Sequence, residues 1–107
     1  METVFTLGDF TLKIEERNRG DENYKGLTII TDGLAKKHVV EVRLDYVYFN
    51  MEGRDKQKYD NVYVSHGMRM KSDTLAETQE YIETLQQALE FAKQVEQYCR
   101  ENDWWQD

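Results

Sequence analysis

The segment from Thr74 to Glu101 repeats its apolar side chains at a helical period, and a rod of that length dictates what the rest of the chain must cover. Leu75, Thr78, Ile82, Leu85, Leu89, Ala92 and Cys99 recur at spacings of three, four or seven, which places them on one helix face. Tyr81, Ala88, Phe91, Val95 and Tyr98 widen that stripe on one side. The opposite face carries Glu80, Glu83, Gln87, Glu90, Gln94, Gln97 and Glu101. Thr74 and Glu77 have capping-box spacing, and Asp73 and Glu77 suit the positive end of the helix dipole. Arg100 suits the negative end, and Asn102 offers a left-handed stop. At 1.5 Å per residue the rod is about 42 Å long.

The N-terminal part alternates instead. Residues 3–7 and 10–16 form two strand patterns joined by Gly8-Asp9, a dipeptide that fits a type II′ hairpin turn. That turn pairs Leu7 with Phe10, Phe5 with Leu12 and Thr3 with Ile14, which gathers the apolar residues on one face. Residues 17–26 are polar, end in Gly and are expected to be a loop. Residues 27–31 form a short strand stopped by Asp32-Gly33. Over 38–50, Val40, Val42, Leu44, Tyr46 and Tyr48 alternate with Glu41, Arg43 and Asp45, the pattern of a half-buried strand about 43 Å long. Residues 51–58 form a charged connection, and 59–66 set Val62 and Val64 against Tyr63. The expected fold is therefore α+β. A meander-like antiparallel sheet of about five strands (1–71) is packed on one face by a single long C-terminal helix (73–102), and a Trp-containing tail (103–107) follows.

A chain of 107 residues with 12% aromatic content fits one domain with a real core. No stretch approaches the roughly 20 apolar residues of a membrane span, and residues 1–5 lack the features of a signal peptide. The single Cys99 allows no internal disulfide. These features point to a cytoplasmic protein.

Catalytic and metal-binding patterns are missing. The two histidines, His38 and His66, fall near opposite ends of different strands, and with one cysteine there is no zinc-ligand spacing. The six glycines make no phosphate-binding loop. Ser65 and His66 are strand neighbours and point to opposite faces, so they are poorly placed to share a proton. Cys99 sits on the apolar stripe as a small hydrophobe. The expectation is a non-enzymatic protein with no cofactor and no metal.

Charge is distributed unevenly. The net charge is −7, and all of it falls after residue 72: Asp73–Asp107 holds nine acids and two bases, Lys93 and Arg100. An ordinary solvated helix interleaves Lys with Glu; this one does not. From Glu77 to Glu101 the carboxylates extend about 36 Å, near the rise of one DNA turn. The expected function is that of a small acidic binding or inhibitor protein that blocks a basic, nucleic-acid-handling partner. Glu77, Glu80, Glu83 and Glu90 would face that partner, with Trp104 and Trp105 as anchors, one ring folding back over the core. In size, acidity and lack of catalytic residues the chain resembles phage anti-defence inhibitors and toxin-immunity proteins as a class, though no residue motif carries the likeness. One alternative is a single-stranded nucleic-acid binder using basic strand ends and Tyr63; the balance of 12 bases and 12 acids in 1–72 argues against it. Another is an oligomer, such as a homodimer, that sequesters a small anion with Arg54, Lys56 and Lys58.

Overall fold

A computed structural model describes residues 1–20, 22–46, 57–67 and 74–106, leaving aside the side chains at 19 and 22. Five strands and two helices follow in the order β1 (Glu2–Leu7), β2 (Phe10–Arg19), β3 (Glu22–Thr31), α1 (Gly33–Lys37), β4 (Val40–Asp45), β5 (Asn61–His66) and α2 (Leu75–Glu101). All described strand pairs are antiparallel, and α2 packs against them, an α+β arrangement. The strands form two sheets, β1-β2-β3 and β4-β5, instead of one meander.

The first hairpin pairs Leu7 with Phe10 and Phe5 with Leu12 as its alternation requires. Beyond Phe5 the register shifts, so Ile14 faces Glu2 and not Thr3. A bulge at this point lets the consecutive residues Val4 and Phe5 both pack against the core. Gly8 adopts φ +57, and Gln87 of α2 lies where a Cβ would sit, 2.0 Å away. Turn and helix can therefore meet closely only at glycine.

The expected loop over 17–26 is strand instead. β2 and β3 stay in register from Phe10↔Thr31 to Arg19↔Glu22. One polar side chain, Arg17, ties the two strands together, and a hydrophobicity pattern does not show it. Arg17 donates from Nε to Glu15 Oε1 (2.8 Å), from Nη2 to Leu27 O and Thr28 Oγ1 (both 3.0 Å), and from Nη1 to Gln57 Oε1 (3.0 Å). The guanidinium crosses Gly26, where a Cβ would fall 2.9 Å from Arg17 Nε.

β4 keeps the expected alternation, with Val40 and Val42 buried, Leu44 half-buried, and Glu41, Arg43 and Asp45 exposed. It is shorter than the pattern suggested. His38 is the C-cap of α1, Val39 has φ 56, and Tyr46 is 55% exposed. The remaining expected strand, 47–50, lies outside the described residues. In β5, Val62 and Val64 pack on the core while Tyr63 faces out.

α2 begins where its cap predicts, with Thr74 Oγ1 accepting from the Glu77 amide at 3.1 Å. At the other end Asn102 is the C-cap with φ −118, and the left-handed residue is Asp103, φ 60. The buried face is Thr84, Ala88, Phe91, Ala92, Val95 and Cys99. Of the stripe expected to lead the core, Ala92 and Cys99 are buried and Leu85 packs against the core, but Leu75, Ile82 and Leu89 are turned outward, 73%, 47% and 54% exposed. The sheet explains this rotation. Phe5 and Phe10 project toward the helix and hold the Phe91 ring between them, at 5.3 and 5.4 Å between centroids. Small residues at 84, 88 and 92 leave room for those rings, and leucines would not.

Candidate functional site on the long helix

Around the axis of α2, moving away from the core, come Leu75, Ile82 and Leu89, then Gln79, Gln86 and Lys93, then Glu83 and Glu90, and last Glu80 and Gln87 at the edge facing the first hairpin. Glu83 and Glu90 are exposed; Glu77 and Glu80 are half-buried. Among the described residues no Lys or Arg pairs with Glu80, Glu83 or Glu90. Glu90 instead accepts from Gln94 Nε2 at 3.3 Å, and Glu101 from Gln97 at 3.0 Å. Arg100 reaches Glu96 at 3.8 Å, off the acidic face.

A further carboxylate joins them that helical periodicity does not reveal. Asp9, in the β1–β2 turn, lines a hollow of about 170 Å³ with Leu34, Glu80, Glu83, Thr84 and Gln87. Its position is built: the Asp9 amide donates to Gln87 Oε1 (3.3 Å), and Asp9 Oδ2 accepts from the Ala35 amide (3.1 Å). Asp9 O also accepts from the Asp32 amide (2.9 Å). Three carboxylates from two distant parts of the sequence thus share one flank of the helix.

The tail folds back. Trp104 is buried with its ring 6.2 Å from that of Tyr59, its amide donating to Cys99 O at 2.8 Å. Trp105 is half-buried, bridges to Tyr59 in parallel, and carries the Arg100 guanidinium over its ring at 5.1 Å. Trp104 is therefore part of the core, and Trp105 is the ring at the surface.

The other site residues divide. Lys58 is held by Asp103, with Nζ 2.6 Å from Oδ1 and 2.5 Å from the carbonyl, so it is engaged within the fold. Tyr63 is 37% exposed on β5. Arg54 and Lys56 lie outside the described residues. A hollow of about 590 Å³ runs between β3 and β4 past Arg17, Glu41 and Arg43. Its Arg17 is committed to four neighbours and Glu41 offsets Arg43, so it offers little net positive charge to an anion.

Antiparallel pairing of Val40 with His66 brings the two histidines together around Tyr81, which no sequence spacing indicates. The Tyr81 ring is 5.7 Å from that of His38 and 6.4 Å from that of His66, and its hydroxyl lies 3.1 Å from His66 Nδ1. Burial, together with the Glu96 carboxylate, pushes the Cys99 thiol up to about 12, which leaves a poor nucleophile. No described helix is long and apolar enough to cross a membrane. Comparison with known protein families, curated protein sequences and solved structures finds no significant match to this chain.

Proposed function

We propose that the chain is a non-enzymatic, cytoplasmic binding protein whose α2 face docks on a basic surface of another protein, one that ordinarily grips nucleic-acid phosphates, and blocks it. The carrying observation is the row Glu80, Glu83 and Glu90, joined by Asp9, with no described cation paired to its helical members. Like charges at i,i+3 weaken a helix by a few tenths of a kcal/mol per pair. α2 tolerates Glu77, Glu80 and Glu83 in succession because its buried face supplies the stability. Anions spread along one rigid rod steer a cationic partner into register and raise the association rate. Trp105 adds apolar contact at the C-terminal end.

The test compares wild type with Glu80→Lys/Glu83→Lys/Glu90→Lys in affinity capture from a cell extract, with and without competing duplex DNA. The expected result is retention of DNA- or RNA-binding proteins by the wild type, their release by added duplex, and their loss in the triple variant. Equal capture by the charge-reversed protein overturns the reading.

A further inference from the structure

The opposite flank of α2 carries a second surface that the acidic face does not use. Ile82 and Leu89 lie there at heptad spacing with Leu75, and all three are exposed. The next column outward is Gln79, Gln86 and Lys93, so no carboxylate borders the stripe on that side. Beside it runs β5. A hollow of about 200 Å³ is lined by Val62, Tyr63 and Val64 of β5 together with Leu89, Ala92, Lys93 and Glu96 of α2. Consecutive strand residues point to alternate faces, so a hollow touching three in a row meets the strand along its backbone edge. Among the described residues that edge has no partner, because β5 pairs with β4 alone. Open edges are ordinarily protected by lysine, proline or a bulge. The β5 sequence, Asn61-Val62-Tyr63-Val64-Ser65-His66, contains no charged residue and no proline, and its pairing with β4 has no shift in register.

We infer that this flank is a homodimer interface, in which β5 pairs antiparallel with β5 of a second copy and the two α2 stripes pack beneath. A second copy fits because the patch complements itself. One two-fold axis beside β5 extends β4-β5 into a four-stranded sheet and sets Leu89 and Ile82 against the same stripe of the other chain. Lys93 and Glu96, which both border the hollow, carry opposite charges that a two-fold axis can set against each other, although the chain carries −7 overall. The area is sufficient. From Leu75 to Glu96 the helix rises about 31 Å, and helix and strand together are about 20 Å wide, giving roughly 600 Å² per copy and about 1,200 Å² in the pair, the lower bound for a specific interface. The acidic flanks point away from the axis, so the inference stands independently of the proposed function.

Sedimentation equilibrium on the full chain, up to about 100 µM, tests it. The expected mass is twice 12.8 kDa, falling to that of the monomer for Leu89→Lys and separately for Tyr63→Lys. Both positions are exposed, so each variant should retain the wild-type circular dichroism spectrum. A wild type that remains monomeric overturns the dimer and leaves the edge to a strand of a different protein. A dimer unaffected by both substitutions places the interface elsewhere and overturns it equally.

Discussion

The two sheets end in edges that are treated differently. The outer edge of β3 is closed from within: the Gln57 amide donates to Lys25 O (3.1 Å), the Leu27 amide to Tyr59 Oη (2.7 Å), and Arg17 to Leu27 O. Tyr59 Oη and Arg17 Nη1 both lie within hydrogen-bond reach of Gln57 Oε1, at 3.1 and 3.0 Å, and Gln57 is only 2% exposed. The outer edge of β5 has no comparable set among the described residues. A chain able to close one edge with an elaborate polar network and leaving the other uncharged implies different roles. The first edge belongs to the fold, and the second is the one that the proposed dimer would use.

The strongest way to break the comparison is to remove what the three-stranded sheet leans on. Phe91 is fully buried between Phe5 and Phe10, and Phe91→Ala is expected to destabilise by about 3–5 kcal/mol in urea unfolding. Loss below about 1 kcal/mol would mean that the rings do not join α2 to the three-stranded sheet.

A smaller change separates the edges. Arg17→Ala leaves Gln57 Oε1 with the Tyr59 hydroxyl alone and takes from the Leu27 carbonyl its 3.0 Å donor, and should reduce stability by about 1–3 kcal/mol. Hydrogen exchange should quicken at the amides of Leu27 and Gln57 while those of β5 keep their rates. Equal acceleration in both places would show that the closure of β3 is not local. The Glu15 carboxyl is held below its ordinary range by the hydroxyl of Thr28 and then by Arg17, against the opposing effect of burial. Its contribution is thus present above the ordinary carboxylate pKa and lost as pH falls through the lowered value.

The same network explains how far the sequence could be read. The start of α2 was legible because its cap is local, Thr74 and Glu77 being three residues apart, whereas at the other end the left-handed residue is Asp103 and not Asn102. The turn at Gly8-Asp9 was legible for the same reason. Strand structure in 17–26 was not, because its meaning depends on Gln57, which is 40 residues from Arg17. The five-residue α1 is too short to show a period, and it opens on a glycine at φ +56. α2 carries two overlapping apolar stripes, and only the aromatic rings of the sheet decide which is buried. The acidic face was visible as composition, but Asp9 joins it only through tertiary contact, as do the two histidines at Tyr81.

Alkaline pH gives the smallest and most selective probe, since it acts on the closed edge and the helix core and spares β5. Burial pushes Tyr59 from 10.0 up to about 12, and burial with Glu96 pushes Cys99 from 9.0 up to about 12. Both are acids that the fold keeps protonated, so their contribution is complete below the unfolded values and drains away as pH rises toward the folded ones. From about pH 9 Cys99 is the first of these groups to ionise in the unfolded chain, and the folding constant should fall up to about tenfold per pH unit; above 10, Tyr59 and Tyr98, the latter also pushed up by burial, steepen the slope. Cys99→Ala should be less stable than wild type at pH 7, flat between 9 and 10, and should decline only above 10. Tyr59→Phe should do the reverse, keeping the early decline and losing much of the later one, the remainder belonging to Tyr98, at the expense of a Leu27 amide left without its acceptor. If chemical denaturation instead gives both variants the wild-type pH profile, the alkaline loss comes from groups elsewhere, and the closed edge does not depend on a protonated phenol.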